Sequence, residues 1–78
     1  MSDLPSISGT QAIEVFAAAG FRVVRISKSS HHIMKKDGHQ FNLSVPVHGN
    51  KNLKPGTLRG LIRASGLTID DFVALLKL

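Results

Sequence analysis

Cysteine, tryptophan and tyrosine are missing from this 78-residue chain, and its four aromatic residues are all Phe. Without cysteine there is no disulfide, no zinc–thiolate site and no thiol nucleophile, a composition that suits a reducing compartment. Acids are scarce as well, with five Asp and Glu against ten Lys and Arg. So few carboxylates, scattered along the chain, make a carboxylate pair or a multi-carboxylate metal site hard to assemble. No apolar run approaches the roughly 20 residues that a membrane span requires. The opening MSDLPSISG has neither a basic n-region nor an apolar h-region, so a secretory signal is not expected and a cytoplasmic location is. Internal repeats, low-complexity segments and linkers are also lacking.

What remains is a small basic chain. Its length suits one domain over residues 1–78, and a hydrophobic content of 42% is enough for a modest core. The formal net charge of +5 concentrates polyanions by long-range attraction, which places nucleic acid ahead of acidic proteins as a partner.

The elements follow from local signals. Ser8-Gly-Thr-Gln11 is a capping-box pattern, with Ile13 and Phe16 at helical spacing behind it, and Gly20 can end the helix. This predicts a first helix over residues 9–19 that packs an Ile13/Phe16 stripe. FRVVRIS is β-branched and partly alternating, as in a strand. SSHHIMKK and HQFNLSVPVH read as two further strands, separated by Asp37-Gly38, a strong signal for a two-residue type I′ hairpin. VHGNKNLKPG is a polar loop. A helix opens near Pro55–Thr57 with Leu58, Leu61 and Ile62 inward, and Gly66 closes it. Thr68-Ile-Asp-Asp71 is a second capping box, leading into Ile69, Phe72, Val73 and Leu76. The expected order is α-β-β-β-α-α, an α+β fold with helices on one face of a three-stranded antiparallel sheet.

The four histidines, His31, His32, His39 and His48, all fall in the middle of the chain. A hairpin centred on Asp37-Gly38 pairs Met34 with Phe41, His32 with Leu43 and Ser30 with Val45. Phe41, Leu43, Val45 and Val47 alternate with polar residues, so their face should be the buried one. Met34 then joins the core and His32 fills space beside Leu43. His31 goes to the open face with Ser44, Lys35 and Asn42. Adjacent strand residues point to opposite faces, so the pair does not make a metal clip, and no cofactor or metal is expected.

An exposed imidazole among phosphate-binding cations has one reaction within reach. Histidine exchanges protons near neutral pH, and RNA supplies its own nucleophile, the 2′-hydroxyl. A general base that takes the hydroxyl proton allows attack on the adjacent phosphorus, and neighbouring Lys side chains stabilise the charge that develops. On residues alone, a merely solvated strand histidine stays open beside this reading.

The run AGFRVVRISKSSHHIM, followed by VPVHGNKNLKPGTLRGLIRASGL, resembles the HicA family of mRNA interferase toxins from bacterial toxin–antitoxin pairs. The likeness extends from the ISG opening to the final DDF helix. It implies a fold like that of the double-stranded-RNA-binding domain, ribosome-independent cleavage of mRNA, and neutralisation in a hetero-oligomer with a HicB antitoxin. It also implies that His31 is catalytic. Lys28, Ser30, Lys35 and His48 become candidate RNA contacts, and Arg59 and Arg63, which share an outer helix face, candidate antitoxin contacts. One position departs from the pattern: Ser29 stands where the family usually has Gly. If that position requires a positive φ, Ser costs on the order of 1 kcal/mol there. A non-catalytic RNA-binding module and a weakened partner that only binds the antitoxin are the alternatives.

Overall fold

The computed structural model describes residues 3–78. The chain runs α1 (Gly9–Ala18), β1 (Arg22–Ile26), β2 (His31–Lys35), β3 (Leu43–Pro46), α2 (Pro55–Ser65) and α3 (Ile69–Leu76). The strands form one antiparallel sheet in the order β1-β2-β3. Helices α1 and α2 both pack on β3 and on α3, whereas β1 contacts chiefly β2.

Both capping boxes form. The Ser8 hydroxyl accepts from the Gln11 amide at 3.2 Å, and the Gln11 side chain accepts from the Ser8 amide at 3.0 Å. Thr68 and Asp71 repeat the exchange at the start of α3. Pro55 occupies the first turn of α2, and Gly66 ends that helix in the left-handed region. The buried stripe of α1 is Ala12, Val15 and Phe16, with Ile13 half-buried at its flank rather than at its centre. Phe16 is the hub of the core, with ring centroids 5.2 Å from Phe72 and 6.1 Å from Phe21. Met34, Leu43, Val45 and Leu58 are buried around it.

Gly9 sits where α1 begins against the end of β3. A Cβ there would overlap the Pro46 carbonyl oxygen, so only glycine lets the helix approach the strand this closely. The segment before α1 is tied down as well. Leu53 N–H donates to the Ile7 carbonyl at 2.8 Å, and the Asn52 side-chain amide donates to Ser6 Oγ at 2.9 Å.

The β2–β3 register differs from the sequence expectation. Met34 pairs with Leu43, Ile33 with Ser44, His32 with Val45 and His31 with Pro46. The pairing is displaced by two positions along β3, because the connection is the seven-residue stretch 36–42 rather than a two-residue turn. Asp37-Gly38 does make a turn, closed by His39 N–H donating to the Lys36 carbonyl at 3.0 Å. Only Gly38 has positive φ, at 76°, so the turn is not type I′, which needs positive φ at both central residues. An even displacement keeps every side chain on its expected face. Met34, Leu43 and Val45 are therefore buried as expected, and His32 lies beside Val45 instead of Leu43.

Phe41 is the residue that loses its expected place. It is 56% exposed, and the half-buried His39 packs toward the core edge instead. The His39 ring packs edge-on against Phe21 with centroids 5.2 Å apart, and its Nε2 lies 2.6 Å from the Ala64 carbonyl oxygen. A carbonyl only accepts, so Nε2 carries the hydrogen and the ring ties the connection to the end of α2. The reason is satisfaction: a carbonyl in the last turn of a helix has no intrahelical partner, and an imidazole N–H supplies one while its ring still fills apolar space.

Candidate functional site

The β1–β2 hairpin builds the surroundings of His31. Ser27 N–H donates to the His31 carbonyl at 2.9 Å, closing a three-residue loop of Lys28, Ser29 and Ser30. Ser30 N–H donates to the Ser27 carbonyl at 3.0 Å. Such loops characteristically end in a left-handed residue, and here that residue is Ser30, with φ 63°. Ser29 does not have positive φ, so the strain expected at position 29 lies one residue later.

This loop surrounds the His31 ring with oxygen. Nδ1 is 3.0 Å from Ser29 Oγ and 3.2 Å from the Ser29 carbonyl oxygen. Ser29 Oγ is in turn 3.1 Å from Ser27 Oγ, which accepts the His31 backbone N–H at 3.2 Å. Among the described residues, all hydrogen bonds of the ring are on Nδ1. His31 is half-exposed at the start of β2 and alternates with the buried Met34 face. His32, its neighbour, faces the core with Nδ1 buried and without a hydrogen-bond partner among the described residues. Among the described residues, no three His, Cys, Asp or Glu side chains gather as a metal ion would need.

The pairing registers define the rest of the open face. Arg22 is opposite Lys35 and Arg25 opposite Ile33, with a bulge between Val23 and Arg25. Paired residues share a face, so Arg22, Arg25, Lys35, Ile33 and His31 lie together with Ser44 and Pro46. Arg22 is bound to Asp37 at 3.1 Å. Lys28 is exposed at the hairpin tip, close to His31 in the chain, and Ser30 directly precedes the histidine. Lys35, four residues along the strand, stands about 13 Å from His31. It belongs to the far end of the same basic face. Arg25 is the cation that sequence reading missed, because a bulge, invisible in the alternation pattern, is needed to turn it to this side.

His48 is exposed and lines a cleft of about 390 Å³ with Lys51, Lys54, Thr57 and Pro46. Pro46 is the cross-strand partner of His31, so this cleft adjoins the His31 end of the sheet. The Ser30 carbonyl, which accepts from Val47 N–H at 3.0 Å, joins the two places through the backbone. Arg59 and Arg63 are elsewhere. Both are exposed on α2, along a shallow groove floored by Ile62, Leu67 and Ile69.

Three helices on one face of a three-stranded antiparallel sheet, in the order α-β-β-β-α-α, make this an α+β fold of the double-stranded-RNA-binding-domain type. The open side of the sheet carries cations and one oxygen-bound histidine. A family model described as the HicA toxin of bacterial toxin–antitoxin systems matches residues 9–67, and the chain belongs to that family. It is thus a toxin-family protein, and membership implies an antitoxin partner. A comparison with curated proteins finds no match. No helix among the described residues is long and apolar enough to cross a membrane.

Proposed function

We propose that the chain is an endoribonuclease that cleaves mRNA in the cytoplasm, with His31 as general base, and that a HicB-type antitoxin neutralises it in a hetero-oligomer. The observation that carries this reading is the His31 geometry. The ring stands at the uncovered side of a basic sheet, its Nδ1 bound to the hairpin and its Nε2 without a hydrogen bond among the described residues.

In this reading Nε2 takes the proton of a ribose 2′-hydroxyl. The 2′-oxygen forms a bond to the adjacent phosphorus, and the bond from phosphorus to the 5′-oxygen breaks. The departing oxygen receives a proton from an acid or from water. The products are a 2′,3′-cyclic phosphate and a free 5′-hydroxyl. General-base assistance of this kind contributes roughly a hundred- to ten-thousand-fold. Lys28 and Arg25 are the cations closest to His31 by sequence and register, and suit the charge that develops on the phosphate. Lys35, Ser30 and His48 would contact the strand on either side, contacts that position RNA without reading its sequence. Arg59 and Arg63 would meet the antitoxin.

The weakened-toxin alternative drew on the departure at Ser29; that residue carries no positive φ, the left-handed position of the loop being Ser30, and the alternative stays open. Replacing His31 tests what remains. His31→Ala should abolish cleavage of a single-stranded RNA oligonucleotide while circular dichroism stays unchanged, since a half-exposed strand residue adds little to the core. Cleavage by the unaltered chain should persist in EDTA and leave cyclic-phosphate ends. A His31→Ala protein that cuts at the original rate overturns the reading in favour of an RNA-binding module.

A further inference from the structure

We propose that Ser29 is a positioning residue for His31, fixing the ring tautomer that leaves the lone pair on Nε2. The inference rests on the reading of His31 as a general base, and it goes beyond that reading by assigning what prepares the base.

The Ser29 carbonyl oxygen lies 3.2 Å from His31 Nδ1. A carbonyl can only accept, so the contact is favourable only when Nδ1 carries a hydrogen. In a neutral ring the lone pair is then on Nε2, the nitrogen turned away from the hairpin. The Ser29 hydroxyl, 3.0 Å from the same Nδ1, could by itself serve either tautomer, because it donates and accepts. The carbonyl beside it settles the direction, and the hydroxyl becomes a second acceptor for one N–H.

Ser27 holds that hydroxyl in place. Its Oγ accepts the His31 amide at 3.2 Å and lies 3.1 Å from Ser29 Oγ. Whichever of the two hydroxyls donates to the other, Ser29 Oγ keeps a lone pair for Nδ1–H. The same contacts remain satisfied after Nε2 takes a proton. Two oxygens then face the N–H of an imidazolium, where hydrogen bonds are stronger than to the neutral ring. Ser29 thus selects the form that can accept the proton. It also limits rotation of a ring that would otherwise turn freely on an exposed strand.

The loop supplies this geometry through backbone bonds alone. Ser27 and His31 close it, and the left-handed Ser30 reverses the chain so that both oxygens of Ser29 face the ring. Substituting Ser29 removes the hydroxyl and leaves the carbonyl, so the effect should be graded rather than total.

The experiment reads the tautomer and the chemistry separately. Long-range proton–nitrogen correlation spectra of nitrogen-labelled protein report which ring nitrogen of His31 is protonated, with His31→Ala used to assign the signals. The unaltered chain should show Nδ1–H. Ser29→Ala keeps the carbonyl and so should keep Nδ1–H, but with the ring less firmly held kcat on an RNA oligonucleotide should fall by about two- to tenfold, the worth of one hydrogen bond, with KM unchanged. Ser29→Thr, which keeps a hydroxyl, should restore most of the rate. An Nε2–H signal in the unaltered chain would overturn the proposal. So would a Ser29→Ala protein with unchanged kcat, and if His31→Ala were still inactive the general-base reading would survive that result. Full cleavage by His31→Ala would remove both.

Discussion

His31 and His32 are adjacent in sequence and differ in almost every physical respect. One ring is bound through Nδ1 at a hairpin mouth; the other lies under the sheet with Nδ1 buried and, among the described residues, unpartnered. Leaving a buried polar atom without a hydrogen bond costs about 1–3 kcal/mol. His32→Leu should therefore match or exceed the original stability by roughly 1 kcal/mol, since it removes that cost and keeps side-chain volume beside Val45. His32→Ala should lose roughly 1–2 kcal/mol through the gap it leaves. Urea denaturation measures both, and RNA cleavage should persist in each. A His32→Leu protein clearly less stable than the original would mean that Nδ1 is satisfied in solution. The opposite facing of the two rings was legible from strand alternation. The role of the neighbouring serines was not, because nothing in SKSSHH says which serine takes the left-handed position. That choice is made by the Ser27–His31 closure, which leaves Ser30 at the end of a three-residue loop.

At the scale of elements, the capped helices were the most readable parts, since capping boxes and apolar stripes act within a few residues. The β2–β3 connection was the least. Asp37-Gly38 makes a local turn, and the chain then continues to Asn42 before pairing resumes. His39 is why: its bond to the Ala64 carbonyl and its contact with Phe21 join the connection to α2 and to the residue just before β1. His39→Ala should lower stability by roughly 1–3 kcal/mol, through one unsatisfied carbonyl and the lost edge contact. The loss should appear in the denaturation midpoint, with the helical content of the folded protein retained. A midpoint that does not move would show that water replaces the ring without penalty. Strand β1 is unusual in the other direction. Every residue of it is exposed, including Ile26 at 60%, because the helices lie over β3 and β1 contacts mainly β2.

For the whole molecule, the excess of cations is the property that no single contact expresses. A net +5 on so small a surface should steer an acidic antitoxin surface toward it, with Arg59 and Arg63 as candidate contacts. Screening shortens the reach of such charges from about 30 Å at ~0.01 M salt to about 3 Å at ~1 M. The association rate with the antitoxin should accordingly fall across that range, and Arg59→Glu with Arg63→Glu should lower it further at low salt. Stopped-flow mixing checks this. A rate that is flat with salt would leave shape and apolar contact as the main attraction.

The sequence by itself determined the element order, the sides of the sheet, the scarcity of acids and the resemblance that the family match bears out. These rest on short-range signals: caps, period-two alternation, composition and motif. Alternation has only two outcomes, so the faces of Met34 and His31 came out right even though the register was displaced by an even step. Tertiary structure alone decided that displacement, the exposure of Phe41 with His39 half-buried against Phe21, the bulge that brings Arg25 to the open face, and the two Ser29 oxygens at Nδ1. Each depends on a partner distant in sequence or on a loop closed by backbone hydrogen bonds, and neither kind of partner is encoded in local spacing.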